Sequence, residues 1–404
     1  MTTARTALCL LLCFLFVLQA FGQAPRPTFI KHAVLSDPDK WSVYVSIFPE
    51  YASSQFEKDY KLRYMILENY NSKEPLMPYT DIDISLLAHE KSPEQVKFSL
   101  QVPKINSPLA LMVLEVHHLK SNQKNYADIR LVGTKPLLRE EFAVFDEKGL
   151  FPVFQGFILA GSTVMLRNSL KQEKLFYATR YRQDFGPAPA PMYLSQLPAN
   201  QNMSVDSTFT VRSNQMLQLS KEGLYLFRKD TNDFHGIGLR VEPQGFPKLT
   251  QKEQLILPLT YISTSEELKK LFNSRDLKKE LDRYWLKLMG GNANKAKTTI
   301  KEYYKRIREA NMMYASFKEG WKTDMGMVYI VFGAPQEILR GKDIQQWTYI
   351  GSKNYSKVTF SFTRKPNQFV DEHYTLVRYI EYEPIWYPTV ELWRKGTVSA
   401  SGAK

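Results

Sequence analysis

Gly320-Trp321-Lys322-Thr323-Asp324-Met325-Gly326-Met327-Val328-Tyr329-Ile330-Val331-Phe332-Gly333-Ala334-Pro335 holds the most specific local pattern in the chain. A helical period runs into it from the N-terminal side. Gly320 suits a helix C-terminus, where a left-handed backbone is usual, and Trp321 would then fold back over Phe317. Thr323 and Asp324 carry short side-chain acceptors that can bond backbone N–H groups ahead and fix a reversal before Gly326. The apolar run 326–332 reads as a strand, ended by a turn at Gly333 and Pro335. On this reading the segment specifies a corner of the fold.

Upstream, the pattern is helical. Ser263-Thr264-Ser265-Glu266-Glu267 offers two overlapping capping boxes, and Leu268, Leu271 and Phe272 fall on one face. Leu277, Leu281, Tyr284, Trp285 and Leu288 continue that spacing to a stop at Gly290-Gly291. Asn292 can cap the next helix, whose seam Ala296, Ile300, Tyr303, Ile307, Ala310, Tyr314 and Phe317 steps by fours and threes. Lysines and arginines occupy its other faces, as a solvated back, a coiled-coil flank or a membrane-surface face would. Downstream, strands are expected at 346–350, 357–363 and 374–382, then a short helix at 388–395 with Pro388 in its first turn.

Residues 29–132 show a period of two, as in Val96, Phe98, Leu100 and Val102, broken by turn chemistry such as Ser36-Asp37-Pro38. Strand-like stretches follow at 157–166, 175–181, 209–212, 223–227 and 236–241. The prolines of Gly186-Pro187-Ala188-Pro189-Ala190-Pro191 cannot donate to a ladder, so this segment should be an extended loop. The expected fold is two antiparallel β-sandwich regions of immunoglobulin-like type followed by an α+β C-terminal domain. The expected boundaries are 1–23, 27–135, 136–260 and 263–398.

With Gly326, the apolar run and the Gly333/Pro335 turn, Gly320-Trp321-Lys322-Thr323-Asp324 resembles the GWxTD domain, a C-terminal module found mainly in exported proteins of Bacteroidota and related bacteria. Gln346-Trp347-Thr348-Tyr349 and the ending Ile385-Trp386-Tyr387-Pro388-Thr389-Val390-Glu391-Leu392-Trp393-Arg394 also look typical of that family. Met325 and Met327 stand where many members carry arginine. The resemblance, spanning roughly 263–398, implies export and a modular build but no established activity.

Export agrees with the N-terminus. Arg5 supplies a basic start, residues 8–18 an apolar core, and Gln19-Ala20-Phe21-Gly22-Gln23-Ala24 a small-residue exit. The only two cysteines, Cys9 and Cys13, lie inside it, so the processed chain could form no disulfide. A lipid on Cys13 would want a small residue before it, where Leu12 stands. No later apolar run reaches the roughly 20 residues of a membrane span.

The formal net charge is +13, and residues 263–404 hold 25 basic against 16 acidic residues. In the envelope such a face favours an acidic protein or an anionic polymer, unless it serves solubility alone. It shows no groove-reading motif for nucleic acid. His32, His89, His117, His118, His235 and His373 are scattered without metal-ligand spacing, and no nucleotide or nucleophile signature occurs, so neither metal nor cofactor is expected. Asp81 and Asp83, two apart on one expected strand face, could hold a cation or a glycan but read first as a solvated sheet edge, and Glu381 with Glu383 reads the same way.

The expectation is a non-enzymatic exported protein, periplasmic, outer-membrane-associated or extracellular, that binds an envelope protein or anionic polymer. The candidate surface joins Arg340, Trp347, Tyr349 and Arg394. Against it stands a carbohydrate-active enzyme or other hydrolase with an unrecognised carboxylate pair, for which Asp324 is one candidate member.

Overall fold

A computed structural model describes residues 28–134, 136–182, 185–194, 203–352 and 355–398. The expected export signal, both cysteines and the expected cleavage site lie outside these residues.

The first region contains β1 (Phe29–Ser36), β2 (Lys40–Phe48), β3 (Tyr60–Leu67), β4 (Met77–Ile82), β5 (His89–Ser92), β6 (Gln95–Pro103), β7 (Leu109–His118) and β8 (Gln123–Val132). They form two antiparallel sheets, ordered β1-β2-β6-β5 and β4-β3-β7-β8. Alternation decides which side faces inward. On β6, Val96, Phe98, Leu100 and Val102 are buried while their neighbours are not, and they meet Leu62, Ile66, Met112 and Leu114 of the other sheet in one apolar cluster. Asp83 lies beyond β4 and caps a 3-10 turn through the Ser85 N–H, so it does not share a strand face with Asp81.

The second region contains β9 (Ala143–Asp146), β10 (Phe157–Leu159), β11 (Ser162–Arg167), β12 (Leu175–Tyr181), β13 (Val205–Arg212), β14 (Leu217–Leu219), β15 (Gly223–Arg228) and β16 (Ile237–Glu242). Their sheets run β10-β16-β15-β12-β13 and β14-β11-β9 and share a second apolar cluster. Pairing is antiparallel except between β10 and β16. The single strand expected over 157–166 is two, because Gly161 at φ +88° breaks it and sends β10 and β11 to different sheets. Leu35 and Tyr44 of the first region pack against Phe145, Phe151 and Phe154 of the second.

The helical region opens with α1 (Ser265–Phe272), α2 (Leu277–Leu288) and α3 (Ala293–Tyr314). Thr264 and Glu267 form the capping box of α1, and Asn292 caps α3 through the Lys295 N–H. Helix α3 ends at Tyr314, so Phe317 lies past the seam and joins Phe369, Leu224 and Leu226 instead.

Then comes α4 (Asp324–Phe332), a helix where the sequence suggested a strand. Every residue from Gly326 to Phe332 is buried, so the run is apolar all round and shows no face by which its period could be read. Thr323 starts the helix as its N-cap and Gly333, at φ +85°, stops it. Burying Val328, Ile330, Val331 and Phe332 stabilises it by roughly 1.5–3 kcal/mol per side chain.

A last antiparallel sheet follows, β17 (Glu337–Arg340), β18 (Ile344–Ser352), β19 (Tyr355–Arg364) and β20 (Tyr374–Leu376), in sequence order. The strand expected over 374–382 stops at Leu376 and gives way to a 3-10 turn, Ile380–Tyr382. Helix α5 (Glu383–Arg394) closes the chain; Pro384 takes its first turn and Pro388 lies inside it. The molecule is therefore mostly antiparallel sheet with a C-terminal helical region, and no helix among the described residues is long and apolar enough to cross a membrane.

Candidate functional site

The signature folds as a corner laid on the last turns of α3. Gly320 has no positive φ; it is a glycine because a Cβ there would stand 1.9 Å from the Ala310 carbonyl oxygen. The left-handed helix end expected at Gly320 is thus replaced by a close backbone approach. Gly326 repeats the device, its missing Cβ falling 1.9 Å from the Gly320 carbonyl oxygen. Between them, Thr323 Oγ1 donates to the Gly320 carbonyl at 2.7 Å and accepts the Gly326 N–H at 2.9 Å.

Trp321 is 1% exposed, receives the Tyr261 hydroxyl on its carbonyl at 2.9 Å, and donates its indole N–H to the Glu319 carboxylate. Its backbone N–H donates to Asn311 Oδ1 at 3.0 Å, tying the corner to α3. Lys322 is also buried, paired with Glu319 at 2.9 Å and set over the Trp321 ring. Its carbonyl accepts the Ala188 N–H at 3.0 Å, so the proline-rich loop of the second region seals the corner from outside.

Asp324 reaches much further along the chain than a turn acceptor would. Its Oδ2 accepts the Leu376 N–H at 3.0 Å on β20, and its Oδ1 pairs with Arg378, which also donates to the Pro189 carbonyl at 3.1 Å. Both carboxylate oxygens are thus engaged. Beyond α4, Gly333 accepts the Tyr349 hydroxyl at 2.9 Å, and Pro335 lies on the way to β17. Arg306 of α3 donates to the Ile330 and Val331 carbonyls at 3.2 and 3.3 Å, satisfying the orphan end of α4.

A cleft of about 970 Å³ opens where the first region, the second region and the helical region meet. From the first region come Lys31 and His32 of β1 and Asp128 of β8; from the second, Arg139 and Glu140. The helical region supplies Glu302, Glu309 and Tyr314 of α3, Arg340 of β17, and Glu372 and His373 before β20.

The titratable groups there are perturbed mainly by burial. Lys31 is held below the usual ammonium range by desolvation, which Glu372 partly offsets, and it donates to the Met313 carbonyl. His32 is lowered in the same way. Asp128 is raised by burial, against the pull of Arg340 and with a further push from the Glu372 charge. His373 is lowered to about 4 by burial and then by the Lys318 charge, with Asp324 opposing. Among the described residues, no group of three or more histidine, cysteine, aspartate or glutamate side chains is placed to hold a metal ion.

The four residues expected to share a binding surface do not do so. Trp347 and Tyr349 are each 1% exposed, because the strand alternation that made them neighbours on one face turns that face inward. Arg394 sits on α5 in a two-point pair with Glu267, at 2.8 and 2.9 Å. Of the four, Arg340 and Trp347 line the cleft. Sequence reasoning missed Glu302 and Glu309, though a signal existed: with Arg306 they put charge at i, i+4 and i+7 beside the apolar seam of α3.

These elements define a β-rich protein with a helical C-terminal region organised around one Gly-Trp-Lys-Thr-Asp corner. The GWxTD domain family matches residues 223–395, so the chain carries a GWxTD domain over that stretch. The match reaches back to Gly223, taking in β15 and β16, well before the motif-bearing residues. No curated protein matches the chain.

Proposed function

We propose that this is a non-enzymatic exported protein of the bacterial envelope that holds an extended segment of a protein partner in the cleft between its N-terminal strands and its GWxTD domain. In this reading the two β regions, 27–135 and 136–260, are immunoglobulin-like sandwiches that carry the α+β unit of 263–398 and form one wall of the site. The corner built by Gly320, Trp321, Thr323, Asp324, Gly326, Gly333 and Pro335 is architectural. Export rests on the N-terminal sequence, with the periplasm, the outer membrane or the exterior as destinations.

One observation carries the reading. The cleft is lined along β17, an edge strand, by Ile338, at 38% exposure, and Arg340, with Lys342 just beyond the strand. An edge strand offers unpaired backbone groups on which an extended peptide can add as a further strand, its side chains filling alternate pockets. The basic end of the strand favours a partner segment with acidic residues there.

A hydrolase is the second reading, supported by Asp128 and Glu372, which line the same cleft and act on each other electrostatically. Asp324 would not belong to that pair.

A photo-crosslinking residue in place of Ile338, in the protein's native cells, tests the binder, with exposed Leu175 of β12 as the control position. A discrete envelope protein captured only from position 338 is expected. Identical capture from both positions would overturn the reading. Hydrolysis of an envelope glycan by the purified chain, abolished by Glu372→Gln, would replace it with the enzyme.

A further inference from the structure

We infer that the floor of the cleft is a pocket for a basic side chain, a lysine or arginine carried by the partner segment; this rests on the cleft being the binding site. Glu309, on α3, is only 6% exposed yet lines the cleft. Its Oε2 accepts the Tyr329 hydroxyl at 2.8 Å, while its Oε1 has no hydrogen-bond partner among the described residues. A buried carboxylate with an idle oxygen is costly, and the cost is relieved by a cation that brings its own donors.

The surroundings suit a cation. Tyr314 lies against Tyr329 with ring centres 5.8 Å apart and against Trp347 at 5.5 Å, and these three rings line the cleft together with Glu309. Ring faces attract ammonium and guanidinium groups through their quadrupole, and a carboxylate beside them adds charge pairing. The Trp347 indole N–H is also without a partner among the described residues, leaving a donor for a carbonyl of the same incoming segment.

The chain's nearby cations are engaged or at a distance. Arg306 acts on Glu309 electrostatically, but its guanidinium donates to the Ile330 and Val331 carbonyls and lies over the Trp393 ring at 4.8 Å, and Lys305 stands 3.8 Å from Glu302. Arg340 lines the same cleft and is the competing occupant.

Arginine amide is the probe, and citrulline amide its neutral near-isostere. Both are titrated into the full chain while the Trp347 indole N–H signal, assigned with Trp347→Phe, is followed by NMR. A saturable shift is expected with arginine amide, with citrulline amide and Glu309→Gln each weakening it about tenfold or more. Arg340→Ala should strengthen it. Equal response to the two amides, or no response at Trp347, would overturn the pocket; so would full binding by folded Glu309→Gln. If Glu309→Gln does not fold, the comparison of amides on the wild-type chain decides. Capture from position 338 without an arginine response would sink the pocket and leave the cleft reading standing.

Discussion

At Gly320 and Gly326 the space a side chain would need is filled by backbone. A methyl at either position would sit 1.9 Å from a carbonyl oxygen, which no rotamer can relieve. Gly320→Ala should therefore cost about 3 kcal/mol or more, at the upper end of overpacking effects, measured as a drop in urea midpoint. His373 gives the corner a pH signature. Its folded value of about 4 lies below the ordinary 6.5, so between those values the unfolded chain binds the extra proton. Stability is then fully present above about pH 6.5 and falls as pH drops toward about 4. His373→Gln should flatten that slope in urea melts taken across the same range. The motif residues themselves were legible in the sequence. Their partners were not, because Leu376 and Arg378 lie far along the chain and no local rule links them to Asp324.

Among the elements, α4 shows why a buried apolar run misleads. Val328, Ile330 and Val331 are β-branched and favour strands, yet they are helical here because burial on all sides removes the period that would separate the two forms. The deciding information sat just upstream in Thr323, whose hydroxyl caps the helix at the Gly326 N–H. Thr323→Ala should destabilise the fold by about 1–2 kcal/mol and Thr323→Ser by much less, which thermal unfolding of the two variants would show. The alternating strands of the first region were easily read, since each has one wet face and one dry. Trp347 and Tyr349 were misplaced for the converse reason: alternation says which residues share a face and leaves open which face is buried.

The whole molecule is stitched across the expected boundary at 263. The backbone N–H groups of Gly236 and Gly238 donate to the Gln368 and Phe369 carbonyls at 3.0 Å each, pairing a segment from beyond β19 with the start of β16, ahead of the stretch that β10 covers. Arg139 donates to the Gln368 carbonyl at 2.6 Å and pairs with Asp371, and Phe317 and Phe369 are buried against Leu224 and Leu226. That stitching gives a physical reason for the family match to begin at Gly223. A fragment of residues 263–398 would expose these rings and lose the proline-loop contacts at Lys322 and Arg378. It should show no cooperative urea transition, whereas residues 136–398 should unfold in one, followed by near-ultraviolet circular dichroism. The cleft was invisible in the sequence for a related reason, since its walls come from three separate stretches of chain.

Equilibrium urea unfolding of Asp324→Asn probes most directly whether the signature is architecture or chemistry. Asp324 is 7% exposed, and its loss leaves Arg378, whose side chain is 11% exposed, without its counter-charge. A loss of about 3–5 kcal/mol is expected, the range for removing one partner of a buried ion pair. An unchanged unfolding free energy, with any cellular role of the protein lost, would contradict the architectural reading and return Asp324 to the candidate catalytic residues.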